Sequence, residues 1–297
     1  MMKKKLIGSA VLALSLSLGC ALPAYADSRK VVTLGADLTE DQKSTMLRYF
    51  GVSADNVDLL YITNDDEREH LGSYVPIEQI GNYTFSCALV SPTSSGGIQV
   101  KTANLSWVTC NMIASTLSTS GVTNCQVVAA SPFEVSGTGA LTGIIMAYES
   151  ATDKTLDATK KDLANQELVA TGNLATDVGQ SQAIAVINAT KIEVLENNVT
   201  DITEINNIIN NVSNEYNVSV NEDQSDQIAE LMMEIAQQEY DIVQLKATLE
   251  RVQANVAADA GASEEIQAAA EEAAVKAETA AAEANAEANP EVNVEAD

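Results

Sequence analysis

Between Val31 and Tyr148 the apolar residues alternate between two spacings. Val31-Val32-Thr33-Leu34 is a short β-branched run closed by Gly35, and Val57 to Thr63, Tyr83 to Val90, Gly97 to Ala103 and Gln126 to Ala129 follow in the same style. Runs of this kind, bounded by turn residues, predict strands. The turn-rich segment SPTSSGG predicts that the third and fourth of them pair. Between the strands the spacing becomes helical. Thr39-x-x-Gln42 is a capping box that opens a helix running through Phe50 to Gly51. TNDDEREHLG predicts a short helix with Asp65, Asp66 and Glu67 in its first turn, where the helix dipole favours negative charge, and Gly72 at its end. SWVTCNMIASTLSTSG predicts a third, closed by Gly121, and Leu141, Ile144, Ile145 and Tyr148 mark an amphipathic helix lying on a sheet.

After Ala151 the strand signals stop. Leu156 to Leu174 and Ala183 to Asn197 are predicted helices parted near Gly179, Asp201 to Asn214 is another, and Asn221 caps a further one with Glu222 and Asp223 in its first turn. Along that last segment Ile228, Leu231, Ile235, Ile242, Leu245, Leu249, Val252 and Val256 alternate by three and four, broken only by Gln238. This is the spacing of a narrow coiled-coil seam. It serves either a hairpin against the Ile192 to Val212 segment or a homodimer through the Ile228 to Val256 helix, and short connections favour the hairpin. From Ala257 onward Ala, Glu and Asn dominate, with Lys276 the single base. No apolar stripe remains there, which predicts a solvated, disordered acidic tail. The expected class is α+β: a mixed α/β domain over 27–150, an all-α hairpin or bundle over 151–256, and a low-complexity tail over 257–297.

The N-terminus adds a location. Lys3, Lys4 and Lys5 precede an apolar run from Leu6 to Leu18, and Ala24-Tyr25-Ala26 supplies a small-x-small cleavage site. The run is shorter than the roughly 20 residues that span a bilayer. Residues 1–26 are therefore expected to be a secretory signal with Asp27 first in the mature chain. A lipoprotein signal ending at Cys20 ranks below this, because the leucine in Leu16-Ser17-Leu18-Gly19-Cys20 stands one position too far away. Removing three lysines and no acid takes the formal net charge from −26 to −29. Phosphate-backbone affinity comes mainly from Lys and Arg, and 16 of these against 42 acids exclude a nucleic-acid partner. No stable membrane insertion is expected of the mature chain.

Candidate chemistry is sparse. VSGTGALTGI places Gly137, Gly139 and Gly143 like a phosphate-cradling loop, but a dinucleotide loop needs its glycines directly after a strand and an acidic residue about 20 positions on. Here they follow Pro132 and precede a helix, so a turn and a close helix approach are the simpler use, with Ser136 or Thr138 available to cap. Asp65, Asp66, Glu67, Glu69 and His70 form the densest titratable group, and Asp66 with His70 shares a helix face at i, i+4. Such a pair could hold a metal ion, although a solvated helix start is the commoner use. Cys87, Cys110 and Cys125 are an odd set whose pairing the sequence leaves open. The chain's single histidine, His70, would have to serve any catalytic thiol or serine triad.

The order of several blocks is more specific than any of these. TLGADLTEDQK, TNDDER, IGNYTFSCALV, GGIQVKTANLSWVT, VSGTGALTGIIMAYE and VNEDQSDQIAELM together resemble the YpuA-like family of secreted Gram-positive proteins, a domain of unknown function numbered 1002. The resemblance spans nearly all of Val31 to Leu249. It implies an extracytoplasmic location and assigns no catalytic residue, and the Ala/Glu tail departs from it. The expectation is a non-catalytic protein of the cell envelope that contacts an envelope protein or wall component and needs no cofactor or metal. The alternative is a carboxylate-dependent wall hydrolase using Asp66, Glu69 and His70.

Overall fold

The computed structural model describes residues 29–259 and 264–288. The expected signal segment, Cys20 and residues 289–297 lie outside the described residues.

β1 (Val31–Gly35) is buried along its whole length, so both of its faces meet other elements. Val32 and Leu34 pack with Met46 and Phe50 around α1 (Glu40–Tyr49), which opens with the expected Thr39/Gln42 capping box. β2 (Asp58–Ile62) runs parallel to β1, and β3 (Cys87–Pro92) lies antiparallel on its other side. β5 (Cys125–Val135) is antiparallel to β3, and β4 (Ile98–Leu105) closes the sheet parallel to β5, giving the order β2-β1-β3-β5-β4.

The expected hairpin of the third and fourth strands does not form, because β5 inserts between them. β5 is apolar on both sides, with Val127 and Ala129 in one core and Val128 and Ala130 in the other, and so takes an internal place. β4 exposes Gln99 and Lys101 along one face, which an edge strand tolerates.

The two parallel crossovers, β1–α1–β2 and β4–α4–β5, step the same way across the sheet, yet α1 and α4 (Cys110–Thr119) cover opposite faces. They are therefore of opposite hand, against the strong preference for right-handed crossovers. As a result no helix among the described residues lies over β4 on α1's side. On α4's side, α2 (Asn64–Leu71), α3 (Ile77–Ile80) and α5 (Thr138–Thr152) complete the layer. α5 crosses β1 so closely that a Cβ on Gly143 would stand 2.6 Å from Thr33 Oγ1.

A helical layer follows: α6 (Ala158–Val178), α7 (Gln180–Glu196), α8 (Ile202–Glu215), α9 (Glu222–Ala236) and α10 (Ile242–Asp259). Asp201 and Asn221 cap α8 and α9. The change of composition near Ser150 is not a change of packing. Leu168, Ile184, Ala185, Val252 and Val256 share one core with Val31, Val127 and Leu141 of the sheet layer. A second core joins α6 to α9 through Leu163, Ile187, Ile209 and Ile228.

A further expectation is corrected. The heptad segment is two helices, because Asp241 caps α10 with its Oδ1 3.1 Å from Gln244 N, and Tyr240 ties the break to α4 through a 3.0 Å hydrogen bond to Thr119 O. Its apolar residues, among them Ile228, Ile235 and Leu249, are buried against their own chain, with α9 packed on α8 in the manner of the hairpin. Within the Ala/Glu-rich stretch, Glu264–Ala288 form helix α11, which packs on α10. Alanine supplies the helix propensity, and a stripe of Ala274, Ala277 and Ala281, too small to register as an apolar stripe in the sequence, is buried. Among the described residues no helix is long and apolar enough to cross a membrane.

The close crossing of α5 has a measurable consequence. Gly143→Val should lower stability in urea unfolding by roughly 1–3 kcal/mol, since Thr33 and Ile62 are both buried and cannot give way freely. An unchanged midpoint would show that the approach is not tight.

Candidate functional site

The acid-rich helix α2 is capped by its own residues. Thr63 Oγ1 accepts from Asp66 N, and Asp66 Oδ2 accepts from Thr63 N at 2.7 Å and Thr63 Oγ1 at 2.6 Å, so the Asp66 carboxylate is committed to the helix start. Glu69 is exposed, and half-buried His70 is held through its backbone oxygen, which accepts from Asn165 Nδ2 at 2.7 Å. Among the described residues no hydrogen bond or ion pair links Asp66, Glu69 and His70, and no three His, Cys, Asp or Glu side chains converge as metal ligands.

The buried member of that cluster is Glu67, 1% exposed. Its Oε2 accepts from Thr138 Oγ1 at 2.6 Å, and its Oε1 accepts from Thr84 Oγ1. Thr138 is the first residue of α5, preceded by Gly137 in the left-handed region at φ 100°, and a Cβ on Gly139 would lie 2.9 Å from Glu67 Oε1. The glycine-rich turn therefore makes room at a helix N-terminus for a carboxylate of the same chain, where the helix dipole favours an anion. Neither Ser136 nor Thr138 caps α5. Burial pushes the Glu67 carboxyl above the usual carboxylate range. The hydrogen bonds from Thr138 and Thr84 and the Arg68 charge oppose this, and Asp37 adds to it.

A second buried charge joins the two layers. Lys191 on α7 has no exposed surface, and its Nζ lies 2.8 and 2.9 Å from the carboxylate oxygens of Glu167 on α6. It also donates to Ser115 Oγ and Thr119 Oγ1 of α4, each at 2.9 Å. The Ser115 and Thr119 hydroxyls donate in turn to the two oxygens of Glu167, so both charged groups are saturated by protein atoms. Burial lowers the Lys191 pKa, with Glu167 holding it up. The spacing that makes this possible is Ser115 and Thr119 one helical turn apart, a pattern unremarkable among the many Ser and Thr of SWVTCNMIASTLSTSG.

The three cysteines among the described residues are free: Cys87 faces the α1 core, Cys125 faces the opposite core, and half-buried Cys110 opens α4. Burial pushes the Cys87 thiol up to about 11 and the Cys125 thiol up to about 12.

The α1 side of the sheet carries a group of aromatic residues. All three phenylalanines, Phe50, Phe85 and Phe133, are found there, together with Tyr49, Tyr61 and Tyr83. Tyr83 stacks on Phe85 at 5.9 Å and Phe133 meets Phe85 edge-on at 5.1 Å. Tyr83 is 65% exposed and Phe133 40%. Farther along the strands, the same side presents exposed Gln99, Lys101 and Gln126 with half-buried Val128 and Ala103. Phe133 is far in sequence from Tyr83 and Phe85, and the pairing of β3 with β5 brings it to them.

A family model described as "Protein of unknown function (DUF1002)" matches residues 34–252. The chain is 36% identical over 223 residues to the "Uncharacterized protein YpuA" of Bacillus subtilis (strain 168), covering 74% of this chain and 77% of that protein. No solved structure gives a significant match.

The buried charges lead to two expectations. Lys191→Met, which strands Glu167, should cost roughly 3–5 kcal/mol in denaturant unfolding, and the double change Glu167→Leu/Lys191→Met should recover most of it; a double variant as unstable as the single would refute the pairing. For Glu67, the folded state binds the proton more tightly than the unfolded chain, whose carboxyl titrates at about 4.3. Its contribution is therefore fully present below that value and declines as pH rises through the raised folded pKa. As pH rises from about 4.3 through the raised folded pKa, wild type should lose stability relative to Glu67→Gln, which stays neutral. A difference independent of pH would contradict the burial of this carboxyl.

Proposed function

The chain belongs to the family described as "Protein of unknown function (DUF1002)", and from that premise we propose that it is an extracytoplasmic, non-catalytic binding protein of the cell envelope. Its contact surface is the α1 side of the sheet. The observation that carries this reading is the aromatic group Tyr83, Phe85 and Phe133, with Tyr83 and Phe133 exposed, at the end of β5 that pairs with β4, a strand that no helix among the described residues covers on that side. Large rings with exposed faces supply apolar contact area at low entropy cost, and an interface core is where aromatic residues are enriched. Gln99, Lys101 and Gln126 offer hydrogen-bonding groups farther along the same side of the sheet. The partner is an envelope protein or a wall component.

Export supports the same reading. The basic start at Lys3 to Lys5, the apolar run to Leu18 and the Ala24-Tyr25-Ala26 site are the parts of a cleavable signal. An acidic protein released outside the membrane resists non-specific attachment to anionic polymers, which leaves recognition to a specific patch.

Retention of the purified protein on isolated envelopes tests the proposal. Tyr83→Ser with Phe133→Ser should weaken retention by about tenfold or more, given roughly 2 kcal/mol for a strongly engaged aromatic side chain. Both side chains are exposed, so the melting temperature should change little. Retention equal to wild type in a folded variant would remove the sheet face as the contact.

A further inference from the structure

α11 lies on the outer face of α10 through a contact of unusual composition. Its buried positions Ala274, Ala277 and Ala281 follow a three-four spacing, and the last two cluster with Ala247 of α10. Alanine is the smallest apolar side chain that can form such a stripe, so the helices approach closely while little apolar area leaves water. Polar groups then define the fit. Arg251 Nη1 donates to both oxygens of Glu271 at 2.8 and 2.7 Å, and Nε and Nη2 donate to Glu278 at 2.7 and 3.0 Å. Gln244, buried beneath α11, donates Nε2 to Ala281 O at 2.9 Å and accepts from Asn285 Nδ2 at 3.4 Å.

Two further observations separate the cover from the surface that it covers. The family match takes in Gln244, Ala247 and Arg251 but ends at residue 252, before α11 begins. The receiving face therefore lies inside the family match, and its cover lies outside it. The packing is also incomplete on one side, where a cavity of about 380 Å³ opens between α7, α10 and α11 beside Val243, Lys246 and Ala273.

We infer that the outer face of α10 is a receiving groove for an acidic, small-residue helix, that α11 fills it in cis as a displaceable cover, and that α11 of a second copy takes its place. The second copy is the occupant because its α11 carries the two carboxylates, the methyl stripe and the asparagine at the spacing that Arg251, Ala247 and Gln244 accept. Repulsion between two such acidic chains is screened beyond about 8 Å at physiological salt, whereas the Arg251 contacts are far shorter.

The test uses the full chain at about 150 mM salt. Glu271→Lys with Glu278→Lys reverses the charges facing Arg251 and leaves the α10 face unchanged. Amide exchange over residues 267–286 should rise in this variant, and a fluorescent peptide of native sequence 264–288 should bind it about tenfold or more tighter than wild type, where the cis helix competes. Adding Arg251→Glu should restore protection of α11 and abolish peptide binding. Mixed isotope-labelled and unlabelled wild-type chains should form mixed dimers at high concentration in native mass spectrometry, and the double variant should not. Continued protection of α11 in the double variant, or release without a gain in peptide binding, would overturn the groove. A wild type that stays monomeric, or dimers equally abundant in the double variant, would overturn the second copy as occupant.

Discussion

Lys191 has no surface of its own, and the place of its ammonium is set by three helices at once. Dehydrating an ammonium and a carboxylate costs several kcal/mol each, and their attraction offsets this only when every remaining hydrogen-bonding position is filled. Here Glu167, Ser115 and Thr119 fill them. The pair is therefore not a source of surplus stability; it is a constraint on register. Sliding α4, α6 or α7 by one residue would strand a buried charge, so the helical layer is fixed to the sheet layer through α4. This joint underlies the single core that runs from Val31 to Val256 across the change of composition at Ser150.

The other buried carboxylate fixes the opposite corner of the same layer. Glu67 reaches from α2 to the first turn of α5, and Thr84, just before β3, completes its hydrogen bonds. α5 in turn crosses β1 at Gly143, where only a hydrogen atom fits against Thr33. The glycines that resemble a nucleotide loop thus serve two packing demands: space for an internal anion and space for a strand. Both demands are met by groups of this chain.

What remains open follows from the hand of the crossovers. Because α1 and α4 cover opposite faces, helices among the described residues shelter β4 only on α4's side, and Tyr83, Phe85 and Phe133 gather where the covering stops. The proposed contact surface is thus a consequence of topology. α11 is the converse case: a helix whose partner face lies inside the family match and whose own adhesion rests on methyl groups, the Arg251 guanidinium and the Gln244 amide.

Local features were legible in the amino-acid sequence. The five strands, the Thr39 and Asn221 caps, the stop at Gly179 and the helix after Gly137 all depend on neighbours within a few residues, and periodicity and capping chemistry report such neighbours directly. Strand order was not legible, because whether β4 or β5 pairs with β3 depends on which strand can be buried on both faces in competition with the other. The heptad pattern continued past Gln238 on paper, but Tyr240 and Asp241 found partners on α4 and at the start of α10 that outweighed it. Among the acids of TNDDEREHLG the sequence singled out Asp66, Glu69 and His70, and tertiary structure buried Glu67 instead, because only there do Thr84 and Thr138 converge. Charge burial and docking of the Ala-rich helix are long-range outcomes: a residue's type states what it needs, and only the assembled fold decides whether distant atoms supply it.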